Sequence, residues 1–517
     1  MNETARARLI QALLCAGFAA LIATFFSFTA EDAWIVARYA RNAVENGALV
    51  YNRGEYVNAL TSPLDAMLRI ALHALSADPM LAHKFVAILL SVGTLVIGMA
   101  VLKGQTFARI LFLALTALSA PFALWTVGGL ETPLLAVLIT AFAACLWPPR
   151  LRLYEAALLA GLAFLARHDS VLFTAPALLW AVRHQPFRRW IAGGILAASL
   201  PIAWLAFAFV YFHDPLPTSF HIKGPGLAGL TLGTNAVYIA DFLLQSGLAL
   251  VALAAIAFAG GRLIAPPLGK LVRAQAGLWI GLAVAVLGYG LLVATAHMMF
   301  SFRLFVPYLP VLALLVSALF AAAGEGAANT RRITMIMAAS IAALQAALAY
   351  AIATSTLNPS RVGEYQYVGA GEYRRTLISS LAQAAAAIDG DWRAYAPEEP
   401  RPPRIVTFAA GLLPWQLPQA YVFEALVSWR RACFPDPRQF ALMADYVHLM
   451  TPWFGALPEQ LPGPPERWET IWQRTELFDG ERQTWMIVRN RNPEPGALPS
   501  YVDGSCHLPA LQASQTR

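Results

Sequence analysis

Apolar residues in this chain come in long blocks rather than alternating with polar ones. The first runs from Leu9 to Phe28, and ten more fall at about 84–102, 107–127, 131–147, 153–166, 170–182, 190–212, 238–260, 274–296, 303–323 and 333–354. Each approaches the roughly 20 residues that a hydrocarbon core of about 30 Å demands, the shorter ones by tilting or pairing. The pattern predicts about eleven transmembrane helices. The stretch 61–76 breaks it. Asp65, Arg69 and His73 recur at helical spacing on one side, with Leu64, Met67, Leu68, Ala71, Leu72 and Leu75 on the other, which predicts an interfacial helix with a wet polar face.

Beyond residue 354 the texture changes. The remainder holds 18 of the 34 prolines and seven of the 14 tryptophans, a composition that does not extend a helical bundle. Residues 404–411 and 484–488 predict strands and 373–389 a helix. The expected organisation is a transmembrane unit over 1–354, including an outer loop at 30–83, followed by a small soluble α/β domain over 355–517. Trp415, Trp429, Trp453 and Trp468 are expected in its core, with stacking on sugar rings as the other use of such rings.

Composition fixes the class. With 58% hydrophobic residues, 13% charged residues and mean hydropathy of +0.55, the chain is far from the balance of a soluble domain. The net charge of +7 rests on arginine, only four lysines being present, and suits topology anchoring rather than nucleic-acid binding. With 61–76 left out of the spans, Lys103/Arg109, Arg150/Arg152, Arg183/Arg188/Arg189, Arg262/Lys270/Arg273 and Arg331/Arg332 all share the side of the N-terminus. The positive-inside rule then predicts N-terminus in and C-terminus out. The first run is expected to be an uncleaved anchor, because bulky Phe28 would occupy the minus-three position of a cleavage site before Ala30. Cys15 and Cys145 lie in apolar runs, whereas Cys433 and Cys506 lie in the polar tail, where a disulfide is open to an oxidising compartment.

The same topology gathers the remaining ionisable groups on the outer face: Glu31-Asp32, Glu131, Arg167-His168-Asp169, His213, Asp214, His221, Lys223, His297 and Arg303. Each has a plain structural reading beside a functional one. Asp32 could cap the helix that follows, Glu131 could merely begin one, and Arg167-His168-Asp169 could be a self-paired turn. Lys223, His221 and Arg303 could be interfacial side chains.

Within the outer loop the chain reads Glu31-Asp32-Ala33-Trp34-Ile35, Arg38-Tyr39, Asn42, Gly47-Ala48-Leu49-Val50-Tyr51-Asn52, Gly54-Glu55, Val57 and Thr61-Ser62-Pro63-Leu64. These residues resemble the GT-C glycosyltransferases, in particular the branch containing mycobacterial terminal arabinofuranosyltransferases. Gly129-Leu130-Glu131-Thr132, Arg167-His168-Asp169, Pro215-Leu216-Pro217-Thr218-Ser219-Phe220 with Lys223, and Arg303-Leu304-Phe305-Val306-Pro307 agree with it. The chain departs from the usual pattern in Glu31, where Asp is usual, in Asn58 and in Asp65. The resemblance covers roughly residues 9–325. It implies a multi-pass enzyme of the bacterial inner membrane that moves a sugar from a polyprenyl-phosphate donor to a cell-envelope glycan, glycolipid or glycoprotein on the periplasmic face.

Such a transfer needs a carboxylate to take the acceptor proton and positive charge to receive the leaving phosphate. Asp32 is the expected base, with Glu31 orienting it or binding a metal and the exchange of these two roles left open, and Arg38, Arg41, Lys223 and Arg303 are the expected phosphate contacts. Glu131, Arg167, His168, Asp169 and His221 are further active-site candidates. Two adjacent carboxylates repel, so a Mg²⁺ or Mn²⁺ ion at Glu31 and Asp32 is an expected way to hold both. The competing classes are a secondary transporter, which would want acids at mid-membrane, and a non-catalytic component of polysaccharide export or assembly.

Overall fold

The computed structural model describes residues 3–149, 151–223, 232–259, 266–292, 300–323, 330–354, 369–396, 401–424, 427, 438–451, 461–478, 481–494, 500–502 and 505–507. Helices follow the predicted apolar blocks. They are α1 (Glu3–Phe25), α2 (Ala33–Asn46), α3 (Pro63–Leu75), α4 (Pro79–Val101), α5 (Thr106–Thr116), α6 (Ala120–Val127), α7 (Thr132–Leu146), α8 (Leu153–Ala166), α9 (Val171–Val182) and α10 (Phe187–Phe212). After the short α11 (Thr218–Lys223) come α12 (Leu232–Gln245), α13 (Leu248–Ala259), α14 (Pro266–Ala274), α15 (Ala276–Leu292), α16 (Leu309–Ala323) and α17 (Thr330–Thr354).

Local chemistry sets many of these limits. Proline occupies the first turn of α3, α4 and α7, where its missing N–H costs nothing. Gly47, at φ +69°, ends α2 in the left-handed conformation. Two predicted runs are not continuous. Residues 107–127 form α5 and α6 bent by 60° at a break where the Ser119 side chain caps the new helix, and 238–260 divides at Gly247, which has φ +77°. By length and composition four helices among the described residues can cross a membrane alone, namely Ala5–Phe25, Pro79–Val101, Phe187–Phe212 and Arg332–Thr354, or five with the bent pair. The other apolar helices are shorter, and several, such as α9 with Leu179 and α13 with Leu253, also expose apolar side chains. All of α6 is buried, whereas α10 exposes Ile195, Ile202, Phe209 and Val210, a face suited to lipid rather than water.

The polar face of α3 turns inward, contrary to the expectation of a wet interfacial helix. Asp65 and Arg69 are buried while Met67 and Leu75 are exposed. Their charges are paired, as described below, and a paired ionic cluster can occupy a low-dielectric interior that an isolated charge cannot.

The tail contains α18 (Ala370–Tyr373), a π-helical turn over Arg374–Ile378, α19 (Ser379–Tyr395), α20 (Leu412–Gln416) and α21 (Arg438–Met443). Its five-stranded sheet has the order β2-β1-β3-β5-β4, with β1 (Arg404–Val406), β2 (Tyr421–Phe423), β3 (Tyr446–Thr451), β4 (Trp468–Phe478) and β5 (Glu481–Asn490). The first three strands pair in parallel and β5 pairs antiparallel with both β3 and β4. The mixed α/β tail is thus as expected, with the first strand shorter than 404–411. Its core is not closed on itself: Tyr39, Tyr51 and Leu60 of the outer loop and Trp204 of α10 share one buried cluster with Leu381, Ile405 and Trp485. Trp415 is half-buried, 5.3 Å from the Trp34 ring, and Trp468 is also half-buried; Trp429, Trp453, Cys433 and the Cys506 side chain lie outside the described residues.

Candidate active site

The helix α1 ends at Phe25, and its last carbonyls would be unsatisfied without a partner. The Phe28 N–H supplies one, donating to Phe25 O at 2.8 Å, and in the turn beyond the helix Lys84 Nζ of α4 donates to Phe26 O and Phe28 O at 2.7 Å each. The chain then turns through Glu31 and Asp32 into α2. The two acids diverge. Glu31 Oε1 accepts from the Gly411 and Leu412 amides at 2.5 and 3.1 Å, and its own N–H donates to the Tyr373 hydroxyl at 2.9 Å. The tail closes over it so tightly that a Cβ at Gly411 would meet the Glu31 carbonyl oxygen. Desolvation under the tail, with Asp32 beside it, pushes Glu31 up to about 8 against the pull of the two amides.

Asp32 stays outside this lock. Its side chain is 56% exposed, makes no capping bond to α2, and Oδ2 accepts from Arg303 Nη1 at 3.0 Å. Arg303 also reaches Glu131 Oε1 at 3.5 Å, and the same oxygen accepts from Arg167 Nη1 at 2.7 Å. Arg167 grips Asp169 with a fork, Nε to Oδ1 at 3.0 Å and Nη2 to Oδ2 at 2.5 Å. Asp32, Arg303, Glu131, Arg167 and Asp169 therefore form one line of alternating charge. It runs from an exposed carboxylate to Glu131, which is 2% exposed. Against its burial, Arg167 and the Tyr289 hydroxyl hold Asp169 below the ordinary carboxylate range. His168 belongs to the same turn but faces the Phe164 ring at 4.8 Å, and burial lowers it to about 4, so it is neutral and weakly basic at pH 7.

Arg303 is the member with capacity left. It follows a turn in which Ser301 and Phe302 take φ +44° and +57°, a conformation costly for side chains of L-residues. Its Nε is buried with no hydrogen-bond partner among the described residues, and its two acidic contacts are single and long beside the Arg167 fork.

A second buried cluster aligns the two turns that carry the acids. Asp65 accepts from Arg69 Nε and meets His83 Nε2, both at 2.7 Å. Arg69 then donates to Ala33 O at 3.4 Å and to Gly129 O. Ala33 follows Asp32, and Gly129 lies two residues before Glu131. Gly129 sits at φ +77° where a Cβ would crowd Ala33, Met80 and Thr29, so glycine is required twice over. Helical spacing put Asp65 and Arg69 on one face; that they pair in a buried position, and that His83 joins them, had no signal.

Other expected phosphate contacts stand elsewhere. Arg38 is buried, and its guanidinium donates to the carbonyls of Tyr51, Pro414, Leu417 and Ala420. These bonds tie α2 to the Tyr51 turn and to the tail, and the expected phosphate contact at Arg38 draws no support from them. Arg41 likewise donates to Trp415 O at 2.7 Å and lies 3.2 Å from the Trp415 ring centroid. His221 pairs with Asp214 at 3.2 Å, on a loop tied to Asn58 by Thr218, and does not join the charged line. The Lys223 side chain and His297 lie outside the described residues. No three His, Cys, Asp or Glu side chains converge as a metal site among the described residues. With Glu31 Oε1 taken by two amides and Asp32 held by Arg303, the pair does not present the donor set expected for Mg²⁺ or Mn²⁺.

No family model and no curated protein sequence matches the chain. Two solved structures resemble it in fold. ArnT from Cupriavidus metallidurans bound to undecaprenyl phosphate aligns with a TM-score of 0.54 and 12% identity over 94% of this chain and 98% of that one. The apo state of the same protein aligns with 0.55 and 13% identity over 93% and 98%. At this identity the likeness is one of fold: a mostly helical chain with a small C-terminal sheet domain.

Proposed function

We propose that this chain is a glycosyltransferase of the bacterial plasma membrane that moves a sugar from a polyprenyl-phosphate donor to a cell-envelope glycan, glycolipid or glycoprotein. The reading has eleven crossings, the N-terminus inside, and the site with the C-terminal domain on the periplasmic face. The observation that carries it is the exposed Asp32 carboxylate at the open end of a line of alternating acids and arginines that passes through buried Glu131. The fold shared with a protein crystallised with undecaprenyl phosphate supports the lipid donor.

In this scheme Asp32 accepts the proton of the acceptor hydroxyl as its oxygen bonds to the anomeric carbon. The bond from that carbon to the phosphate oxygen breaks, and the electron pair leaves with the phosphate. One base and one direct displacement invert the anomeric centre. Arg303 orients Asp32 and offers the charge that the leaving phosphate needs, and Lys223 keeps its expected part as a second phosphate contact. Glu31 positions Asp32 by fixing the turn beneath the tail. No step is routed through a metal ion.

Asp32→Asn keeps the shape and removes the base. With labelled sugar on membrane lipid and equal expression, this variant is expected to lose transfer by at least about a hundredfold, the usual worth of a placed base. Wild-type turnover by Asp32→Asn and by Glu31→Gln would reject the enzyme reading at this site. Reporter tags in the 30–83 loop test the compartment separately, and an inward-facing loop would overturn the periplasmic assignment.

A further inference from the structure

A cavity of about 550 Å³ lies at the seam between the outer loop and the tail, away from the Asp32 line. Its size falls within the roughly 300–1,000 Å³ of small-molecule sites. Its wall has two textures. Arg53, Arg401 and Arg404 bring guanidinium groups from the 51–55 turn and from the segment entering β1, while Trp392, Pro418 and Tyr421 bring flat apolar faces. Flat faces beside charged forks suit a sugar ring that carries an acid, because the ring's C–H side packs on aromatics and proline while its anionic group meets arginine.

The charges indicate how much negative charge the cavity takes. Arg401 is held by both oxygens of Asp445 at 2.7 and 2.8 Å, and Asp445 also accepts the Arg404 N–H at 2.8 Å. Glu55 accepts from the Tyr421 hydroxyl at 2.9 Å, which places a second acid nearby. Beneath the cavity, Arg38 faces main-chain carbonyls, so its charge lacks a carboxylate partner. Arg53 is exposed and makes no hydrogen bond or ion pair among the described residues. The fork that Arg53 presents fits a carboxylate.

We propose that this cavity is a binding site for a sugar carboxylate, a uronic-acid unit of an anionic glycan, with Arg53 as its principal contact and Trp392 as its platform. It deepens the reading above by naming the acceptor class. Arg38 lies on the second turn of α2, six residues after Asp32 and hence about 9 Å along the helix. A glycan held here is anchored on the element that begins at the base.

The test uses the full chain in detergent and measures binding by titration calorimetry, which does not depend on transfer. Galacturonate is expected to bind saturably, and more tightly than galactose, which lacks the charge, or acetate, which lacks the ring. Arg53→Gln is expected to weaken galacturonate about tenfold or more, the worth of one charge-assisted hydrogen bond, with Arg53→Lys recovering part of it. Arg53 is exposed, so an unchanged melting temperature separates lost contact from lost fold. Asp32→Asn is expected to bind galacturonate as wild type does. Absent saturable binding, equal affinity in Arg53→Gln, acetate as tight as galacturonate, or loss of binding in Asp32→Asn would each overturn the site, whatever the transfer assay shows.

Discussion

Arg38 and Arg303 are both arginines near the same pair of acids, yet one faces carbonyl oxygens and the other carboxylates. Arg38 lies within a seam, and its donors close the gap between the outer loop and residues Pro414, Leu417 and Ala420. Arg303 bridges Asp32 and Glu131 at 3.0 and 3.5 Å, and one of its two partners is open to solvent. Neutral carbonyls fix a guanidinium in place without offering a proton acceptor for chemistry. A carboxylate that is gripped on one side and exposed on the other is both oriented and reachable. What separates the assembly residue from the one proposed for the reaction is therefore the partner, not the residue type.

Exchanging the two arginines for an apolar residue of similar length should split fold from activity. Arg303→Met is expected to lower sugar transfer by about a hundredfold or more, as loss of one preorganised charge does, with near-normal melting. Arg38→Met should do the reverse in order of cause. It strands several buried carbonyls, each costing on the order of 1–3 kcal/mol, so a lower melting temperature and a protease-sensitive tail should precede any loss of transfer. Equal melting of both variants would erase the distinction.

Arg69 sharpens the comparison because it touches neither the exposed acid nor the tail. Arg69→Met removes the two hydrogen bonds to the Ala33 and Gly129 carbonyls and leaves buried Asp65 to His83 alone, so a lower melting temperature accompanies the kinetic effect. A drop in kcat of about tenfold at unchanged KM is expected, since misplacement by a fraction of an ångström lowers the population of reactive geometry. A KM effect alone would assign Arg69 to substrate binding.

Glu31 gives the smallest effect, and its sign follows from proton counting. An ordinary glutamate at 4.5 in the unfolded chain rises to about 8 in the folded one, so the folded state binds more protons between those values. Stability is therefore fullest below about 4.5 and declines as pH rises toward 8. Glu31→Gln, which keeps an oxygen for the Gly411 and Leu412 amides, should flatten that decline in melting temperature across the window. An unchanged slope would place the titration elsewhere.

Much of this was legible in the residue order. Long apolar blocks dictate helices, because a buried backbone must satisfy its own N–H and C=O groups, and the Pro- and Trp-rich remainder had to be something other than bundle. The pairing of Glu31 with Asp32, and the presence of Glu131, Arg167, Asp169 and Arg303 among the unexplained charges, could also be read in one dimension. What could not was which of two neighbouring acids is free. That depends on Gly411 and Tyr373, more than 340 residues away, closing on Glu31 and leaving Asp32 to Arg303. The same holds for the inward face of α3, where the periodic pattern marks two sides of a helix but not which one meets water. Periodicity is local and survives in sequence, whereas burial and charge partnership depend on distant segments and exist only once the chain has closed on itself.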